Sequence, residues 1–263
     1  MSNTIATDDN YTVSLCTSGS QLRGACDVRI EVFVREQGFA LEDEIDQYDP
    51  LAAHFILTHN SNPDKVIGTL RLLPYPLPIP KPDEPGSEPN PNSSYPLGGS
   101  RSESAVASDF ISAAWSHHPT PISSARDPAQ THAEEEETGK GMPEKGGAKL
   151  GRLALLKEAR GKGLGHLLVR KAEAWLIDVL SSDEAQRQGA FGPRPTLQGD
   201  RQQSEESKAA KTERLESIII KLSSQIYVID FYKKLGYEPI GERYDEDGAP
   251  HQLCYKQVFL PRS

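Results

Sequence analysis

Apolar residues fall along this chain in short blocks with two periods. Tyr11 to Thr17 alternates enough to predict a strand. From Gln21 to Phe39, Cys26, Ile30, Phe33 and Val34 recur at helical spacing and predict a helix with that stripe in the core. His54 to Thr58 and Val66 to Leu73 predict strands separated by the turn Asn60-Ser61-Asn62-Pro63. Lys149 to Leu156 predicts another strand. The strongest pattern spans Gly163 to Ser181, where Leu164, Leu167, Leu168, Trp175, Leu176, Val179 and Leu180 share one side of a helix. Glu216 to Leu222 is β-branched and predicts a buried strand. Gln225 to Leu235 predicts a helix closed by Gly236 as a left-handed cap. Glu238 to Tyr244 and Gln252 to Val258 predict a hairpin across Asp245-Glu246-Asp247-Gly248. This order implies an α/β fold, a mixed sheet with helices on both faces.

Two stretches break the pattern. Thirteen of the twenty prolines lie between Pro74 and Pro143, and nine of those lie between Pro74 and Pro96. Proline removes a backbone donor and fixes φ, so neither a helix interior nor an inner strand forms there. The acidic run Glu134 to Glu137 and the glycine-rich Gly139 to Gly147 follow. Residues 75–148 therefore read as an insertion without its own core, with Ile111 to Trp115 as a short docked segment. Residues 183–213, rich in Gln, Gly, Ser and Lys, read as a second insertion. The expectation is one domain over 11–260, interrupted twice.

Composition narrows the function. The hydrophobic share is 36%, low for a fully packed chain, which agrees with polar insertions around a compact core. A net charge of −9 argues against nucleic-acid binding, which needs a dense basic face. Cys16, Cys26 and Cys254 are odd in number and lack metal-ligand spacing, so neither a metal nor a disulfide framework is expected. No run approaches the roughly 20 apolar residues of a membrane helix. The first ten residues carry no apolar core of a secretory signal. A cytoplasmic protein is expected, with the nucleus left open.

The chemistry concentrates between Leu155 and His166. A predicted strand ends at Leu155-Leu156-Lys157. A glycine-rich turn follows, Arg160-Gly161-Lys162-Gly163-Leu164-Gly165, and a helix starts at once, carrying His166 in its first turn. The first turn of a helix leaves backbone N–H groups unpaired and carries partial positive charge. Glycines let those groups approach an anion, and Arg160 and Lys162 add formal charge. A pyrophosphate is the natural guest. A P-loop would need Gly-x-x-x-x-Gly-Lys-Ser/Thr, which is absent. A dinucleotide fingerprint would need Gly-x-Gly-x-x-Gly with an acid about 20 residues on, and the spacing here is Gly-x-Gly-x-Gly.

Arg160-x-x-Gly163-x-Gly165 resembles the acetyl-CoA motif of the GNAT superfamily. Phe231-Tyr232-Lys233-Lys234-Leu235-Gly236-Tyr237 resembles its second motif. Val32 to Gln37, Glu44 to Asp49 with His54, Gln225, and Glu246 to His251 resemble the ElaA-like branch, related to the glucosamine-phosphate N-acetyltransferases. The resemblance implies a mostly antiparallel sheet and direct acetyl transfer from acetyl-CoA to an amine, without an acyl-enzyme. It implies that the pantetheine pairs with the strand end at Leu155, Leu156 and Lys157, and that a backbone N–H at Leu155 or Leu156 faces the thioester oxygen. Tyr232 is implied as proton donor to the leaving thiolate. Glu36 and His251 are the candidates for taking the ammonium proton.

Arg71 reads either as a group orienting an acidic substrate or as a partner of Asp46 or Asp49. His54 and the cysteines read as packing residues. His117-His118 is assigned no metal. The expected acceptor is a small-molecule amine. A protein or peptide amine, or an acyl-CoA-binding module without turnover, are the alternatives, and a homodimer is left open.

Overall fold

The computed structural model describes residues 10–42, 44–46, 48–49, 52–75, 101–116, 146–183, 185 and 215–261. Apart from Asp183 and Ala185, the second insertion lies outside the described residues, as do His117-His118 and the acidic run. Seven strands are β1 (Tyr11–Leu15), β2 (Ala53–His59), β3 (Asn62–Tyr75), β4 (Gly147–Leu155), β5 (Ser217–Gln225), β6 (Glu238–Glu246) and β7 (Ala249–Phe259). The helices are α1 (Gly19–Arg29), α2 (Glu103–Ser116), α3 (Leu164–Ser181) and α4 (Ile229–Lys233). The strands form one sheet in the order β1-β2-β3-β4-β5-β7-β6. The β1/β2, β2/β3, β5/β7 and β6/β7 pairs are antiparallel, and β4/β5 is parallel over Gly147–Lys149. This is a mixed, mostly antiparallel sheet, as expected from the order of the elements.

Contacts divide the chain into two compact units. The first takes in Met1–Leu72, Pro80–Ser108 and Gly151–Trp175. The second takes in Leu73–Ile79, Asp109–Leu150 and Leu176–Ser263.

In the first unit α1 begins where Ser18 and Gln21 form a capping box: Gln21 N–H donates to the Ser18 hydroxyl, and the Gln21 side chain accepts from Ser18 N–H. The predicted single helix is two segments. α1 ends at Arg29, and Ile30–Glu36 winds as a π-helix. Cys26 of the predicted stripe is buried, as is Val28; in the wider winding beyond Arg29 it is Val32 that is core, while Phe33 packs against it half-buried. β2 is buried almost throughout, from Ala53 to Thr58. Gly68 on β3 lets Leu155 and Leu168 lie directly over the backbone; a Cβ there would stand 2.4 Å from Leu155 Cδ2.

In the second unit Ile218, Ile219, Ile220 and Leu222 make β5 a buried strand, as its β-branched run predicts. The helix predicted from Gln225 is a 3₁₀ turn, Ile226–Val228, followed by the short α4; Gly236, at φ +87°, ends it as expected. The first insertion departs from expectation. α2 is fourteen residues long, and Val106, Phe110 and Ile111 are buried, so the docked segment is a full helix. It occupies the stretch after Pro96 that holds no proline until Pro119.

Candidate active site

The glycine loop lies in the first unit and has the geometry its sequence predicts. β4 ends at Leu155, a 3₁₀ turn covers Lys157–Ala159, and α3 starts at Leu164. Gly161 and Gly163 hold φ of +76° and +75°, a left-handed backbone that side chains resist, and a Cβ on either would meet open space. His166 and Leu167 N–H both donate to Gly163 C=O. Among the described residues, no backbone carbonyl takes the N–H groups of 161–165. A run of unpaired amides on a helix axis is an anion cradle. Lys162 stands beside it, with Nζ 3.1 Å from Tyr11 Oη.

Arg160 is anchored beside the loop. Its Nε donates to Leu155 C=O at 2.8 Å, and Nη2 lies 2.9 Å from Glu36 Oε2. That hydrogen bond and charge hold the Glu36 carboxyl below its usual range. A carboxylate so committed positions Arg160 better than it removes a proton. Leu156 N–H is also committed, donating to Ile67 C=O at 2.9 Å. Successive amides of a strand point to opposite edges, so Leu155 N–H faces away from β3.

The first unit also holds a buried charge cluster that the sequence only half revealed. Arg71 pairs with both of its expected partners, Asp46 at 2.8 Å and Asp49 at 2.6 Å. Arg29 is fully buried, with Nε 2.6 Å from Glu44 and Nη1 2.8 Å from Asp49. Arg152, at φ +52°, lies 3.4 Å from Glu44 and 3.6 Å from Asp46. Burial alone would raise the Asp49 pKa, but Arg71 and Arg29 outweigh it and hold Asp49 below the usual carboxylate range. His54 Nε2 donates to Asp49 C=O at 2.9 Å, and burial pushes its imidazole down to about 4, so it stays neutral. Arg29 has no sequence signal, because it falls on the apolar face of α1.

Tyr232 and His251 lie in the second unit. Tyr232 is buried on α4, edge-on to Phe231 and Tyr237 at 5.0 and 5.7 Å. Its hydroxyl has no hydrogen-bond partner among the described residues. Burial, and then the neighbouring Cys254, push the phenol well above its usual pKa, so it stays protonated. His251 is buried at the head of β7, with Nδ1 2.9 Å from Ala249 C=O. A carbonyl only accepts, so Nδ1 carries the proton of the neutral ring and Nε2 carries the lone pair. Among the described residues no group of three or more His, Cys, Asp or Glu could hold a metal, and no helix is long and apolar enough to cross a membrane.

Residues 28–77 match the family model described as the acetyltransferase (GNAT) domain. The match spans the Val32–Gln37 and Glu44–Asp49 motifs, His54 and Arg71, and stops short of the glycine loop. That part of the chain is thus similar to a GNAT acetyltransferase domain. No curated protein sequence matches the chain. Among solved structures it is similar to an acyl-CoA N-acyltransferase from Pseudomonas aeruginosa, at 18% identity over 94% of this chain and 98% of that one, with a TM-score of 0.44. ElaA from Escherichia coli is 15% identical over 94% and 99% of the two chains, with a TM-score of 0.46. FeeM, an N-acyl amino acid synthase from uncultured soil microbes, is 11% identical over 93% and 89%, with a TM-score of 0.48.

Proposed function

We propose that this chain moves an acetyl group from acetyl-CoA to the primary amine of a small molecule, by direct transfer. The observation that carries the reading is the run of unpaired amides at 161–165, flanked by Arg160 and Lys162, which suits a diphosphate. Acetyl-CoA supplies the activated acyl group; the chain's own residues do the rest. Leu155, Leu156 and Lys157 offer the strand end along which an amide-bearing arm pairs, and Leu155 N–H polarises the acyl oxygen. His251 Nε2 takes a proton from the ammonium. The freed amine attacks the acyl carbon, the C–N bond forms and the C–S bond breaks. Tyr232, kept protonated by its burial, gives its proton to the departing sulfur, and the proton that the attacking nitrogen loses restores the phenol.

The test is thiol release from acetyl-CoA over a panel of amines, read beside calorimetry of coenzyme A binding. Gly163→Asp forces a side chain into left-handed backbone and sets a carboxylate against the phosphates. Its affinity for coenzyme A should fall at least a hundredfold. Undiminished affinity would remove the loop from the reaction.

A further inference from the structure

The glycine loop adjoins a cleft that the proposed chemistry leaves unused. The cleft has a volume of about 360 Å³, and every side chain that lines it belongs to the first unit. Tyr11 comes from β1, His59 from β2, Lys65 and Ile67 from β3, and Glu158 and Lys162 from the turns between β4 and α3. Antiparallel pairing brings them together. Tyr11, at the start of β1, is the register partner of His59, at the end of β2, and His59 is the partner of Asn62, at the start of β3. Leu156 N–H donates to Ile67 C=O, which sets these strand ends beside the end of β4 from which the loop departs.

The polar groups of the cleft are held in place. The Tyr11 ring stands edge-on to His59, with 4.9 Å between centroids. The Tyr11 hydroxyl accepts from Lys162 Nζ at 3.1 Å, and that ammonium lies 5.7 Å from the centre of the ring. Lys65 Nζ stands 2.6 Å from Glu158 Oε1, a pair that ties β3 to the turn before the loop. An exposed pair of this kind contributes little to folding, so Lys65 gives up little by turning to a ligand. Two ammonium groups thus face one carboxylate, a local excess of positive charge in a chain of net charge −9. His59 Nδ1 accepts from Ser61 N–H at 3.1 Å, so the ring proton sits on Nε2 and adds a further donor. Donors in surplus, with one carboxylate beside them, suit an anion that also carries a hydroxyl. Phosphate oxygens take the ammonium groups, and the hydroxyl donates to the carboxylate.

We propose that this cleft holds the 3′-phosphorylated ribose of the coenzyme, with Lys65 and Lys162 on the 3′-phosphate and Glu158 accepting from the 2′-hydroxyl next to it. Lys162 belongs both to the amide run and to the cleft, so the cleft begins one lysine stem from the diphosphate cradle. In coenzyme A the 3′-phosphate likewise stands one ribose from the diphosphate. The direction agrees as well. The amide-bearing arm leaves the diphosphate along the edge of β4 that faces away from β3. The nucleotide leaves on the opposite side, where β3, β2 and β1 follow in order and build the cleft. Glu158, bonded to Lys65, keeps that ammonium beside the phosphate.

This inference rests on the reading of the loop as a coenzyme A site, and one experiment separates the two. Calorimetry on the full chain measures the affinity for coenzyme A and for dephospho-coenzyme A, which lacks only the 3′-phosphate. The wild-type chain should bind coenzyme A about tenfold more tightly, because the charge-assisted contacts go with the phosphate. Lys65→Ala should weaken coenzyme A about fivefold and leave dephospho-coenzyme A within about twofold, since only the first ligand reaches that ammonium. If Lys65→Ala does not fold, Lys65→Gln removes the same charge and should show the same selective loss. Equal affinity of the wild-type chain for the two ligands overturns the inference and leaves the loop reading standing. So does a loss of equal size on both ligands in the Lys65 variant, or no loss on either. Failure of both ligands to bind the wild-type chain overturns the loop reading with it.

Discussion

Tyr232 and His54 are both buried rings with perturbed protonation, and they act at different levels. The Tyr232 hydroxyl finds no described partner inside its aromatic surroundings, so the role proposed for it would cost no internal hydrogen bond. Tyr232→Phe keeps the ring and its packing and removes only the donor. Coenzyme A affinity should stay within twofold while kcat falls about 10²-fold, the usual size of a lost proton donor. An unchanged kcat would make Tyr232 a packing residue. His54 instead reports on folding. In the unfolded chain an imidazole titrates near 6.5, whereas in the fold burial holds His54 down to about 4. Between those values the unfolded state binds the extra proton, so stability falls as pH falls from 6.5 to 4, by about 3 kcal/mol. Asp49 adds no slope in that window, because a depressed carboxylate loses its contribution only below its usual range. Urea unfolding at pH 7 and pH 4.5 should show the drop, and His54→Gln, which still donates to Asp49 C=O, should flatten it.

Among the elements, the short ladder between β4 and β5 is the most exposed to a single change. It covers only Gly147–Lys149. A Cβ on Gly147 would stand 2.0 Å from the Ile219 carbonyl oxygen, a backbone atom that cannot rotate away. Gly147→Ala should therefore separate the two strands and cost about 3 kcal/mol in urea unfolding. Stability unchanged by that substitution would mean that the pairing contributes nothing. Neither this contact nor the register of β5, β7 and β6 was legible in the sequence, because each depends on which strands meet. The glycine loop and α3 were legible, because a Gly-x-Gly-x-Gly turn and a 3.6-residue stripe are local signals. The π-winding after Arg29 was not, since an apolar stripe does not distinguish i+4 from i+5 hydrogen bonding. The same shortfall hid Arg29, whose two carboxylate partners lie 15 and 20 residues downstream. Arg71 was half legible: its partners were named, and their joint occupation of it argues for support of the fold over contact with an acidic substrate.

For the whole molecule, the question is how much of the first insertion the fold requires. Its prolines mark residues 75–148 as an insertion without a core of its own. The structure divides them. Val106, Phe110 and Ile111 of α2 are buried, and the Tyr75 ring lies 3.9 Å from Lys221 Nζ, a cation held against an aromatic face inside the protein. Each of the three apolar side chains stabilises by about 2 kcal/mol on burial. Deleting 75–148 also removes Gly147 and Ala148, two of the three β4 residues that pair with β5. A loss of this size should lower the melting temperature by at least about 10 °C or prevent folding altogether. Replacing 118–145 with a short Gly-Ser linker removes four prolines and the acidic run but spares α2, Tyr75 and the ladder. That variant should melt within about 2 °C of the parent and acetylate amines at the parent rate. Thermal melts and thiol release on the two variants check both halves. If the linker variant loses transfer while keeping its melting temperature, residues 118–145 contribute to the reaction itself. If the larger deletion melts like the parent, α2 is an appendage and its buried face serves something other than the fold.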